Sequence, residues 1–335
     1  MDVQRESSEQ FGFEANGAPG ADLCLRPAPD YKTLGPGYVG SAAGDGERTS
    51  VGTYRFSLML ALTVGISLAL LLASLGKARA AWSRADRVQP RPIATEALQA
   101  ENIDQLQPQK QAERLLELAV GDSDAAVDQI SSRVGQWRGK LIWDSQMATV
   151  TTAALNSSDV RVRQSGVEVE LAAYGLSKNT ASLEYLLRTA KSRDHAQKIW
   201  ALWALGLMGN RGVEPNRIQQ VLAAHLKDSD ADSRRWAVDG LALVGGDSTI
   251  PLLLAAMHED ASPQVRQEAA CVIAQSGMFT HGQRMSAVPL LLNFADDASL
   301  DAQTHGWAFQ ALADITGEHL PNEAAAWRSW YENRN

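Results

Sequence analysis

The sequence predicts an all-α fold: a right-handed α-solenoid of stacked helix pairs, preceded by a single transmembrane helix and a disordered N-terminal tail. Three observations predict it. Apolar helical segments ending in glycine recur, at Gly175, Gly209, Gly245, Gly277 and Gly317, with spacings of 34, 36, 32 and 40 residues. No segment shows the period-two alternation of a half-buried strand. One uncharged run, Phe56 to Leu75, has 20 residues, the length that crosses hydrocarbon about 30 Å thick.

In chain order, residues 1–55 come first. They are rich in Gly, Ala, Pro, Ser and acidic residues without periodicity, which predicts a tail that cannot bury enough apolar surface to order itself. Residues 56–76 form the membrane helix, where every backbone group is satisfied internally. Two readings of this run stand open: a retained single-pass anchor, or a signal segment cleaved after Ala78-Arg79-Ala80. Lys77, Arg79, Arg84, Arg87 and Arg91 follow the run, whereas only Arg48 and Arg55 closely precede it. The positive-inside rule then places the solenoid on the cytoplasmic side of the cell inner membrane, with a periplasmic location as the alternative. Residues 77–108 read as a polar linker carrying Pro90, Pro92 and Pro108.

The solenoid is expected over 109–335. In "SPQVRQEAACVIAQSG", apolar residues fall at Val265, Ala269, Val272 and Ile273, one face of a helix. Ser262 is placed to cap it, Pro263 fits the first turn and Gly277 suits the left-handed position after the last turn. "SRRWAVDGLALVG", "QKIWALWALGLMG" and "HGWAFQALADITG" repeat the design, and "IPLLLAAMHEDA" is echoed by "VPLLLNFADDA". One such pair cannot cover its own apolar face; stacked pairs make a continuous core. Ala201, Ala237, Ala269 and Ala308 share one helix position and let neighbours approach closely. From about residue 318 a closing cap is expected, with Trp327, Trp330 and Tyr331 folding over the last repeat, since an open end would expose core.

The set Asp260, Val265, Arg266, Ala269, Ile273 and Gly277 (turn aspartate, Val-Arg-x-x-Ala, apolar residue, glycine) resembles HEAT repeats, including the shorter HEAT-like units of phycobilisome-lyase-type proteins. The resemblance spans about 110–317, is clear in the last four repeats, and suggests a bacterial membrane-anchored member. It implies a fold. It does not imply one activity, because such repeats serve unrelated pathways.

Residues 93–335 hold 21 Lys+Arg and 30 Asp+Glu, a net −9, which argues against nucleic-acid binding. Cys24 and Cys271 lie far apart and supply neither a disulfide framework nor a zinc knuckle; Cys271 reads as a small core residue. The six histidines form no His-Glu-x-x-His set, so no metal centre is expected. "DSDADSRRWAVD" partly matches a calcium loop, but Ser233 stands where glycine is needed and Asp239 where glutamate is usual.

Two series remain. Trp200, Trp236 and Trp307 occupy one position of successive second helices, each two residues after Lys198, Arg234 or His305, and Arg266 continues the cation slot. The tryptophans are rotated roughly 80–90° from the core centre. They either line a groove as partner anchors or seal the joints between repeats. The cations either meet acidic peptide groups or pair with the Asp turns. The expected function is a membrane-anchored scaffold or adaptor for an unidentified protein, without catalysis, metal or small-molecule cofactor. An exported sensory domain and a phycobilin-lyase-like enzyme are the alternatives.

Overall fold

The computed structural model describes residues 103–334. The tail, the membrane helix, most of the linker and Cys24 lie outside the described residues. Among those described, no helix is long and apolar enough to cross a membrane, and there is no strand.

After a short 3-10 turn at Ile103–Gln105, six helix pairs follow. They are α1 (Pro108–Val120) with α2 (Asp124–Trp137), α3 (Ser145–Leu155) with α4 (Val160–Ala173), α5 (Thr180–Thr189) with α6 (His195–Asn210), α7 (Pro215–His225) with α8 (Ala231–Val244), α9 (Ile250–Glu259) with α10 (Pro263–Gln275), and α11 (His281–Phe294) with α12 (Ala302–Thr316). A last helix, α13 (Ala324–Arg334), lies on α11. Second helices stack in a row: α4 on α2, α8 on α6, α10 on α8 and α12 on α10.

Local chemistry sets where the helices start. Asp144, Asp159, Asp194, Asp230 and Asp301 each accept a backbone N–H of the first turn at 2.8–3.1 Å, satisfying donors that have no partner inside the helix. Thr280 and Gln283 form a reciprocal capping box at α11. Ser262 and Pro263 open α10 as the sequence suggested, although the Ser262 hydroxyl bonds to Gln264 and not to the helix.

The recurring glycines serve two purposes. Gly175, Gly245 and Gly317 take φ of 70°, 69° and 74° just past a helix end, where a side chain would be strained. Gly277 does not. α10 ends at Gln275 and Ser276 turns the chain at φ −58°, so the left-handed role expected of Gly277 is not the one it plays. A Cβ there would lie 3.0 Å from Arg163 Cδ and 3.2 Å from the Leu155 carbonyl oxygen, so this glycine lets the loop after α10 press on the second repeat.

One continuous core runs from Val167 in α4 to Trp327 in α13. In α6 every residue from Trp200 to Gly209 is buried, and in α8 every residue from Trp236 to Leu243. A helix apolar on all sides is one packed on all sides. α4 and α6 touch only lightly, and an aromatic cluster bridges that joint. Tyr174 meets Trp143 at 5.4 Å, Trp203 at 5.4 Å and Trp200 at 5.9 Å between ring centroids. Cys271 is half-buried against the core and is disulfide-bonded, which corrects the reading of it as a plain core residue outside any disulfide. At the far end Trp327 is 1% exposed and donates its indole N–H to the Pro321 carbonyl at 3.0 Å. Trp330 stands edge-on to it at 6.1 Å. This apolar lid is what the aromatic tail implied.

One echo does not align. Pro251 sits in the first turn of α9, where its missing N–H costs nothing, but Pro289 lies inside α11. α11 therefore begins a good two turns earlier, relative to this proline, than α9 does.

Candidate functional site

The cation slot is built by the repeat itself. In the second helices of repeats three, four and five, Lys198, Arg234 and Arg266 point along the stack toward the turn of the following repeat. Lys198 Nζ reaches Asp228 at 3.0 Å. Arg234 donates from Nε and Nη2 to the two oxygens of Asp260, at 2.7 and 2.9 Å, a bidentate fork. Arg266 donates Nη2 to Asp301 and Nε to the Thr304 hydroxyl. Each arginine also ties down its own turn through Nη1: Arg234 to the Asp228 carbonyl and Arg266 to the Asp260 carbonyl, both at 2.8 Å. The result is a ladder of three ion pairs, one at each joint from the third repeat to the sixth.

Of the two readings open for these cations, the structure realises pairing with the Asp turns. The acidic-peptide role is corrected accordingly, because Arg234 and Arg266 have no fork left for a partner. The same ladder accounts for the calcium-like loop. Asp228 takes Lys198, Asp230 caps α8 and pairs with His195 at 3.3 Å, Asp232 also meets His195 at 3.0 Å, and Asp239 is buried inside α8.

The tryptophan series lies inside the stack. Trp200 is 4% exposed and Trp236 6%; Trp307 is half-buried against the core. Trp200 packs edge-on to Tyr174 and to Tyr185, the latter at 6.2 Å. The flank of a solenoid helix faces the neighbouring repeat, so a ring placed there seals a joint. The groove role expected of Trp200 and Trp236 is thereby corrected; Trp307, half-buried, is not enclosed in the same way.

Sequence reading missed a different feature. The loop between α3 and α4, the loop after α10 and the start of α11 surround a cavity of about 600 Å³. Arg163 and Arg284 line it together with His281 and Asp314. These residues are far apart in the chain, and no local motif joins them. Two irregularities of the repeat carry the signal. Ser192 stands where the next repeats have Asp228 and Asp260. The stretch from Gly277 to Pro289 is also six residues longer than that from Gly245 to Pro251, by subtraction.

Residues 218–313 match the family model described as HEAT repeats. No curated protein matches the chain. Among solved structures, the CpcE–CpcF complex of phycocyanin lyase from Nostoc sp. PCC7120 is 20% identical, over 51% of this chain and 65% of that one, with a TM-score of 0.30. A designed armadillo repeat protein in complex with the peptide (KR)4 is 16% identical over 61% of this chain and 99% of its own, TM-score 0.32. An engineered protein is 18% identical over 67% and 95%, TM-score 0.30.

Proposed function

We propose that this chain, whose residues 218–313 match HEAT repeats, is a membrane-tethered scaffold that presents a braced helical stack to a protein partner and performs no catalysis. The observation that supports this reading most is the ion-pair ladder. Lys198–Asp228, Arg234–Asp260 and Arg266–Asp301 hold successive repeats in register, which suits a body whose task is to keep a surface in a constant shape. With these cations engaged internally and a surplus of nine carboxylates over residues 93–335, the partner surface favoured is a basic one. The anchor is residues 56–76, and the stack lies on the cytoplasmic side of the cell inner membrane. The filled interior of α6 and α8 counts against a lyase-like chromophore cavity between them.

A second reading, an exported domain binding a partner or ligand outside the inner membrane, draws on Ala78-Arg79-Ala80 after the apolar run. One experiment separates the two. A reporter is fused after Asn335, its sidedness is read by protease protection in membrane vesicles, and the N-terminus of the purified chain is determined by mass. An intact chain that stays with membranes after alkaline wash, with a cytoplasmic reporter, supports the tethered scaffold. An N-terminus at Ala81 with an external reporter refutes it. Photo-crosslinkers at exposed Ile142 and Leu290 then test partner contact. Discrete adducts that vanish when 56–76 are deleted support a partner met at the membrane, and no adduct at either position argues against one there.

A further inference from the structure

Arg163 is the second repeat's counterpart of Arg234 and Arg266. Its Nη1 donates to the carbonyls of Ser157 and Ser158, six and five residues back, as Arg234 Nη1 does to Asp228 and Ser229. There the likeness stops. Arg234 Nε has Asp260 and Arg266 Nε has Thr304, but Arg163 Nε is buried without an acceptor. The next repeat's turn carries Ser192 at the register position of the missing carboxylate. The rung is vacant, and a half-buried guanidinium whose enclosed Nε lacks an acceptor is costly to keep.

A second arginine faces the same space. The extra residues after Gly277 supply Thr280, His281 and Arg284 to the wall of the cavity of about 600 Å³. Arg284 Nη1 holds the Ser276 and Phe279 carbonyls, at 3.2 and 2.7 Å. Its Nε and Nη2 donate to nothing among the described residues. Neither arginine has a carboxylate within ion-pair reach among the described residues. Asp314, on the same wall, already accepts from Gln275 and Gln310, each at 2.7 Å, and Asp159 is paired with Arg161. Burial lowers the proton affinity of both guanidiniums, and for Arg163 the charge of Arg284 adds to the effect. Insertions into a helical repeat tend to gather on its binding face. Here the insertion and Arg163, more than a hundred residues apart in sequence, meet at one cavity.

We propose that this cavity binds a small oxyanion ligand, a phosphorylated or carboxylated metabolite, whose anionic group sits between Arg163 and Arg284 and supplies the counter-charge that neither has from the described residues. Guanidinium forks match phosphate and carboxylate geometry. The volume is that of a small-molecule pocket and exceeds what a bare phosphate would fill. The site does not depend on the scaffold reading.

The test uses the full chain in detergent. Thermal unfolding and calorimetric titration are run with inorganic phosphate, pyrophosphate and citrate, each against sodium chloride at matched ionic strength. A ligand that binds only the folded chain raises its melting temperature in a saturable way. Two variants decide whether the response comes from this cavity. Arg284→Gln removes one fork and is expected to weaken binding by about tenfold or more. Ser158→Asp, at an exposed position on the rim, supplies an internal carboxylate; it is expected to abolish binding while leaving the ligand-free melting temperature unchanged or higher. Tighter binding of pyrophosphate than of citrate assigns a phosphate ligand, and the reverse order a carboxylate. No response beyond chloride overturns the proposal, as does a response that survives in both variants.

Discussion

The crossing of α6 and α8 gives the sharpest prediction, because two opposed effects meet in one substitution. At Gly206→Ala the new Cβ would lie 2.6 Å from the Gly240 carbonyl oxygen, 2.8 Å from Leu243 Cβ and 2.9 Å from Gly240 Cα. Ordinary contact begins at 3.4 Å, so the two helices must part by about 0.8 Å. The obstacles are backbone and a Cβ, which cannot rotate away. Alanine improves helix propensity by about 1 kcal/mol. Overpacking a filled interior costs up to about 3 kcal/mol, and the separation propagates through the most tightly packed joint of the stack. The net expectation is a loss of about 2 kcal/mol. Gly135→Ala is the matched control. It lies on an exposed face of α2 with nothing within 4 Å of the added carbon, so only the propensity gain of about 1 kcal/mol remains. Urea unfolding followed by far-UV circular dichroism measures both. Opposite signs are expected. A Gly206→Ala protein as stable as wild type would show that the joint yields without cost, and would refute the close-packed crossing.

Glu170 is 2% exposed, its Oε2 has no partner, and burial pushes its pKa from 4.5 up to about 8. Below pH 4.5 the carboxyl is protonated in both states and adds no pH-dependent cost, and wild-type stability declines as the pH rises from there through 8; Glu170→Gln, close to wild type at pH 4, is expected to exceed it by up to about 5 kcal/mol above pH 8, as read by denaturant titrations across that range. Asp260→Asn breaks the bidentate rung to Arg234, whose side chains are both largely buried, and is expected to cost about 3 kcal/mol; unchanged urea stability would mean that the ladder contributes little. Trp327→Ala removes the lid over the last repeat and is expected to cost about 3–5 kcal/mol, with amide exchange accelerated first in α11 and α13.

Much of the fold was legible in the sequence because its signals are local. Left-handed glycines such as Gly245 and Gly317 and the alanine seam each act within one helix or one joint. The roles of the tryptophans were not legible for a physical reason. A helical wheel gives an azimuth relative to a single core, whereas a solenoid helix has a partner beneath it and a neighbour on either side. Trp200 and Trp236 therefore point away from one contact and into another. Gly277 misled in a similar way. Its place after a helix matched a cap, but the close approach of Leu155 and Arg163 is what requires it. The cavity was hidden because its walls come from separate repeats, and only departures from the repeat reveal it.

The rungs of the ladder also have a direction. Lys198, Arg234 and Arg266 each reach forward, so a repeat is complete only when its successor has been made. During synthesis each of these three repeats would present a cation at its open end until the next repeat supplies the counterion and covers it. The last repeat escapes this debt. His305 takes the slot there, and its Nε2 lies 2.8 Å from the carbonyl oxygen of Asp297, in its own turn. The array thus carries its own termination signal. Lengthening it by duplication calls for new units spliced ahead of α11 and α12, so that His305 remains the final member.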